Sequence, residues 1–347
     1  MTAFLLCLAL LLLLRLPAKG ESVYSLSLRQ MSGGSEGGPA EGCSDARQAR
    51  RHLVSADAYP DAKCMDGTQP AFYVKTSSSP GTKDKWIVHF EGGGWSYRLA
   101  DNARFRRSDF LGSSKSYAAC LPSNKLKYYI SAKRDENPLL YNWNIVYVRY
   151  CDGGSYAGDT VAQYENETLY FRGKANRDAT IRSLLQLGMA SASEVLFSGC
   201  SAGGLGLFLG IDQMAATVRA GSALGAAVKI RGLIDSGFFL DYSGDDRFQL
   251  RHNAQPEWEA VYGGRLDYSA GMREVFSLMN ISAGAHPRCI AAAPPGDSAR
   301  CAFAEHLAPH VQTPLFLMQS MYDQWSLWHV LGKPHNNTAG AHDPHPF

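Results

Sequence analysis

The sequence predicts an α/β fold, a mostly parallel sheet flanked by helices, and three observations carry that expectation. Apolar runs rich in β-branched and aromatic residues recur at 86–90, 145–150, 195–197, 230–234 and 315–318. Helix-compatible stretches at 175–187 and 202–217 lie between them, the order of a sheet buried on both faces. The 347 residues are 45% hydrophobic and 19% charged, enough apolar material for one sizeable core. No internal repeat and no linker divides the chain, so a single domain over 61–347 is expected.

From the N-terminus, residues 3–14 form an apolar run too short to span a bilayer, followed by Ala18-Lys19-Gly20. This pattern reads as a signal peptide over 1–20, which makes the mature chain secreted and not stably inserted in a membrane. Residues 21–60 are poor in apolar side chains and contain Gly33-Gly34 and Gly37-Gly38. They are expected to be a loosely ordered lead-in. Without Arg15 and Lys19 in the leader, 32 basic residues balance 32 acidic ones, a charge that argues against nucleic acid as a partner. Seven cysteines remain after Cys7, and an oxidising compartment should pair most and leave at least one free. Asn166, Asn280 and Asn336 head Asn-X-Ser/Thr sequons, which are candidate glycosylation sites. The His and Cys spacings give no zinc pattern, so neither a metal nor a cofactor is expected.

The chemistry-bearing motifs follow the apolar runs. Glu91-Gly92-Gly93-Gly94-Trp95 comes directly after 86–90. Small residues there let backbone amides approach a substrate carbonyl closely, as an oxyanion loop requires. Arg98, Arg104, Arg106 and Arg107 come next and read as a solvated basic surface, the alternative being contact with an anionic polymer. Gly199-Cys200-Ser201-Ala202-Gly203 follows Val195-Leu196-Phe197 and opens a helical stretch. A serine at such a strand-to-helix turn stands clear of the sheet, next to the positive end of a helix. Asp323 follows 315–318, the chain position of a triad acid in an α/β-hydrolase.

Three stretches together resemble the pectin acetylesterase family, which also contains the animal Wnt deacylase Notum. They are Tyr141-Asn142-Trp143-Asn144 with Arg149-Tyr150-Cys151-Asp152-Gly153, then Ser198 to Gly204, then Tyr322-Asp323-Gln324-Trp325. Arg149 to Ser155 and Leu111-Gly112-Ser113-Ser114-Lys115 look closer to the plant enzymes. The resemblance implies an α/β-hydrolase fold with Ser201 as nucleophile and Asp323 as the acid that orients a histidine. Gly94, Trp95 and Ala202 would be the oxyanion-hole amides, and Cys200 a buried thiol. The implied substrate is an acetylated, pectin-like polysaccharide; the alternatives are a fatty-acyl protein ester and a catalytically silent, ligand-binding role. The resemblance also implies disulfides Cys64–Cys151 and Cys289–Cys301, and it assigns no partners to Cys43 and Cys120. It puts the triad histidine well beyond the acid and near a cysteine. His329, His335, His342 and His345 follow Asp323, none in that setting. The domain is therefore expected to be C-terminally incomplete, with one sheet edge unpaired.

Overall fold

A computed structural model describes residues 43, 48–243 and 268–331. The expected signal peptide, most of the lead-in, Asn336, His335, His342 and His345 lie outside the described residues. The core is a seven-stranded sheet in the order β1-β2-β4-β3-β7-β8-β9. Its strands are β1 (Arg50–Leu53), β2 (Ala71–Lys75), β3 (Lys85–Phe90), β4 (Asn144–Val148), β7 (Glu194–Cys200), β8 (Lys229–Asp235) and β9 (Leu315–Met318). From β4 to β9 every pairing is parallel, whereas β1 and β2 join antiparallel. A separate hairpin, β5 (Thr160–Tyr164) and β6 (Glu167–Phe171), turns at Glu165-Asn166. It leaves the first sequon asparagine exposed.

Where the sheet is covered on both faces, its parallel strands are continuous apolar runs. All five residues of β4 are buried, and so are five of the six in β3. Helix α1 (Gly173–Gln186) packs against α2 (Ala202–Gly221), and α2 lies directly on β7 and β8. Helix α2 is apolar nearly all round, the composition of a helix buried in a core rather than laid on a surface. Two shorter helices matter for the site: α3 (Tyr268–Leu278) and α4 (Gln324–His329). No described helix is long and apolar enough to cross a membrane.

One expectation is corrected. The lead-in expected over 21–60 contains β1, whose backbone pairs with β2 along Arg50 to Leu53. Cys43 and Cys120, unassigned from sequence, form a disulfide that ties this segment to the domain. The pairs Cys64–Cys151 and Cys289–Cys301 form as the resemblance implies. Cys200, beside the candidate nucleophile, is buried. Among the described residues β9 has β8 as its one neighbour in the sheet, and Phe316 on it is 65% exposed.

Candidate active site

Ser201 sits between the last residue of β7 and the first of α2, with φ 56° and ψ −125°. A side chain rarely adopts that conformation, and here the surroundings enforce it. The Ser201 N–H donates to the Asp235 carbonyl at the end of β8 (2.9 Å), and its carbonyl accepts from Leu205 N in the first turn of α2 (3.0 Å). Close backbone packing requires glycine on both sides of the turn. A Cβ at Gly199 would stand 2.4 Å from the Gly203 oxygen, and one at Gly203 would stand 2.2 Å from the Phe90 oxygen. The turn is therefore the strained strand-to-helix elbow that holds a serine out of the sheet. Ser201 is partly exposed although Cys200 and Ala202 beside it are buried.

The glycine run that follows β3 lies against this turn. A Cβ at Gly92 would be 2.9 Å from the Ser201 Cβ and 2.4 Å from the Cys200 oxygen. Gly94 takes φ +60°, and Trp95 is buried. The N–H groups of Gly94, Trp95 and Ala202 find no acceptor among the described residues. The Ala202 amide also opens a 20-residue helix, where the helix dipole adds positive potential.

Asp323 follows β9 and caps α4, its Oδ1 accepting from Ser326 N (2.7 Å). Asp235 is a neighbour that sequence reasoning missed. Burial, with the charge of Asp323 adding to it, pushes the Asp235 carboxyl above its ordinary value, despite hydrogen bonds from Ser236 and Tyr129. Its signal was a carboxylate at a strand end, the same cue that singled out Asp323. Five described histidines have contacts away from Asp323: His52 with Phe72, His89 with Ser198, His286 with Asp212 and His310, and His306 with Asp241. His329 lies in α4 with its ring 4.6 Å from that of Trp325. Among the described residues, Asp323 accepts no hydrogen bond from a histidine.

Behind the glycine run, Glu91 is buried with Arg149 3.1 Å and Lys125 3.4 Å away. Burial disfavours its ionised form, but Arg149, Lys125, the Tyr150 N–H and the Tyr147 hydroxyl together hold its pKa below the usual carboxylate value. The four arginines after the run are not one solvated surface, which corrects the expectation. Arg104 pairs with Glu165, and Arg107 with Glu167. Arg106 is 4% exposed and donates to the Gly93 carbonyl and the Ser96 hydroxyl. Beside Trp95, the rings of Phe239, Tyr268 and Trp325 close into a cluster in which every pair of centroids lies within 5.1–6.4 Å.

Comparison with known proteins adds to this geometry. The sequence profile of the family Pectinacetylesterase matches residues 43–344. The chain is 32% identical over 271 residues to pectin acetylesterase 5 of Arabidopsis thaliana, covering 78% of this chain and 56% of that protein. It is 33% identical over 283 residues to pectin acetylesterase 11 of Arabidopsis thaliana, covering 81% and 63%. To the palmitoleoyl-protein carboxylesterase NOTUM of Homo sapiens it is 28% identical over 278 residues, covering 78% and 51%. The chain thus spans less than two thirds of the length of these relatives.

Proposed function

Because the chain belongs to the pectinacetylesterase family, we propose that it is a secreted serine carboxylesterase that removes acetyl groups from a pectin-like polysaccharide. The single observation carrying this reading is the Ser201 elbow, with a glycine-rich backbone in van der Waals contact with it. The Ser201 hydroxyl attacks the acetyl carbonyl, and its proton passes to a histidine base oriented by Asp323. The Gly94, Trp95 and Ala202 amides stabilise the negative oxygen of the tetrahedral intermediate. Collapse breaks the bond to the sugar oxygen, which leaves as the hydroxyl after taking the proton from the base. Water then attacks the acetyl-serine and releases acetate. No metal enters these steps. Three described disulfides support an oxidising, extracellular setting.

An acetyl ester is favoured over a long fatty ester because close-packed rings occupy the flank of the oxyanion loop at Trp95. A long acyl chain needs an apolar cavity there. A silent, glycan-binding homologue is the second reading. What favours it is Asp323, which caps a helix and meets no histidine among the described residues. The test is acetate release from acetylated pectin by the purified chain and by Ser201→Ala. The expected result is release by the first and none by the second, with acetyl esters turned over faster than medium-chain esters. Well-folded wild-type protein that binds pectin without releasing acetate would establish the silent reading.

A further inference from the structure

The peptide planes that carry two of the candidate oxyanion amides are gripped from behind by side chains. Where the chain leaves β3 it gives up its sheet pairing, and its carbonyls find partners one by one. The Tyr156 hydroxyl donates to the Glu91 carbonyl (2.9 Å), Arg106 Nη2 to the Gly93 carbonyl (3.0 Å), and the Tyr150 hydroxyl to the Gly94 carbonyl (3.1 Å). Asn102 Nδ2 then takes the Ser96 and Arg98 carbonyls (2.9 and 2.8 Å).

The geometry of the peptide unit gives these contacts a consequence. There is no cis peptide among the described residues, and in a trans unit the C=O of one residue and the N–H of the next point in opposite directions within one plane. Holding the Gly93 oxygen therefore aims the Gly94 N–H, and holding the Gly94 oxygen aims the Trp95 N–H. Glycine backbone would otherwise rotate freely here, since Gly92, Gly93 and Gly94 have no Cβ to restrict it. We infer that Arg106 and Tyr150 are positioning residues, whose hydrogen bonds to the Gly93 and Gly94 carbonyls preset the direction of the oxyanion-hole amides. The inference rests on the esterase reading above.

Both residues are built for the task. Tyr150 is fully buried, its hydroxyl accepts from Ser155 N (3.0 Å), and Ser155 Oγ in turn accepts from Trp95 Nε1 (2.9 Å). The same tyrosine thus fixes the backbone of Trp95 and, through Ser155, its indole. Arg106 spans from Gly93 to Ser96 with its guanidinium 5.9 Å over the Tyr150 ring. Burying a guanidinium is costly unless it is well bonded, so its use on two loop oxygens points to a requirement for rigidity there. Preset amides lower the barrier because they need no reorganisation when charge develops on the carbonyl oxygen. Loss of aim should therefore weaken the transition state and leave ground-state binding intact.

The experiment measures kcat and KM for p-nitrophenyl acetate, with melting temperature, in wild type, Arg106→Gln, Tyr150→Phe, Arg104→Gln and Ser201→Ala. Arg104 has an exposed ion pair in the same segment and serves as the control for lost charge. Arg106→Gln and Tyr150→Phe should each lower kcat about 10- to 100-fold with KM within about twofold, and Arg104→Gln should change neither. Should Arg106→Gln not fold, Tyr150→Phe, which removes one oxygen, carries the test alone. Folded variants with kcat within twofold of wild type, or a loss that appears in KM instead, would overturn the inference while leaving the esterase reading standing. A wild type no more active than Ser201→Ala would remove that reading and this inference together.

Discussion

Ser201 combines a positive φ with a ψ near −125°, a conformation that costs a residue with a side chain on the order of 1–3 kcal/mol. The hydrogen bonds to Asp235 and Leu205 and the tight packing of Gly199 and Gly203 hold it there. Two replacements that both remove the hydroxyl should therefore differ in stability. Ser201→Gly relieves the strain and Ser201→Ala keeps it, so the glycine variant should be the more stable by about 1 kcal/mol in urea unfolding. Equal stabilities would mean that the elbow carries no strain. This residue was legible in sequence because glycine, serine and strand-to-helix order coincide there. Arg106 was not: nothing distinguishes it in sequence from Arg104, which is exposed, or Arg107, which is half-buried in an ion pair. Only the fold shows that one of the three turns inward.

At the scale of elements, the turn that follows β4 has its own electrostatics. Asp152 is fully buried with Oδ2 accepting from the Gly154 and Tyr156 N–H groups. Burial outweighs these bonds and the nearby Arg106, and it raises the carboxyl to about 6. An unfolded aspartate loses its proton near 4, so between about pH 4 and 6 the folded chain holds a proton that the unfolded chain has released. Stability from this group is fully present below about pH 4 and falls as pH rises to about 6. Asp152→Asn keeps an acceptor for both N–H groups and has no proton to lose. Its stability relative to wild type should rise across that window by on the order of 1–3 kcal/mol, read from urea midpoints at pH 4 and pH 7. A relative stability that falls instead would mean that Asp152 is held ionised throughout. Among the elements, β3, β4, β7, β8 and β9 and helices α1 and α2 were legible because short apolar runs and long helices have distinct patterns. β1 was not, since Arg50-Arg51-His52-Leu53 carries no apolar alternation and is recruited by pairing with β2 and by the Cys43–Cys120 bridge.

For the whole molecule, the sheet brings together groups far apart in sequence by setting the ends of β3, β7, β8 and β9 side by side. Gly92, Ser201, Asp235 and Asp323 all follow or close those strand ends, at the edge where parallel α/β sheets bind ligands. The disulfide Cys64–Cys151 fastens the loop before β2 to the turn after β4, and so braces the Tyr150 and Asp152 segment behind the glycine run. The Cys289–Cys301 bridge braces the lobe that carries Phe303, whose ring meets Tyr268 of the aromatic cluster. Order along the chain made the serine and its loop readable, but the clamps behind them depend on contacts across 13 to 65 residues of sequence, which no local pattern encodes. The most direct measurement is mass-spectrometric mapping of the folded chain after treatment with a fluorophosphonate, an electrophile that reports an activated serine. The expected result is a single adduct on the peptide containing Ser201, lost in Ser201→Ala. Folded protein that carries no adduct, or carries it on another serine, would contradict the assignment of Ser201 as nucleophile.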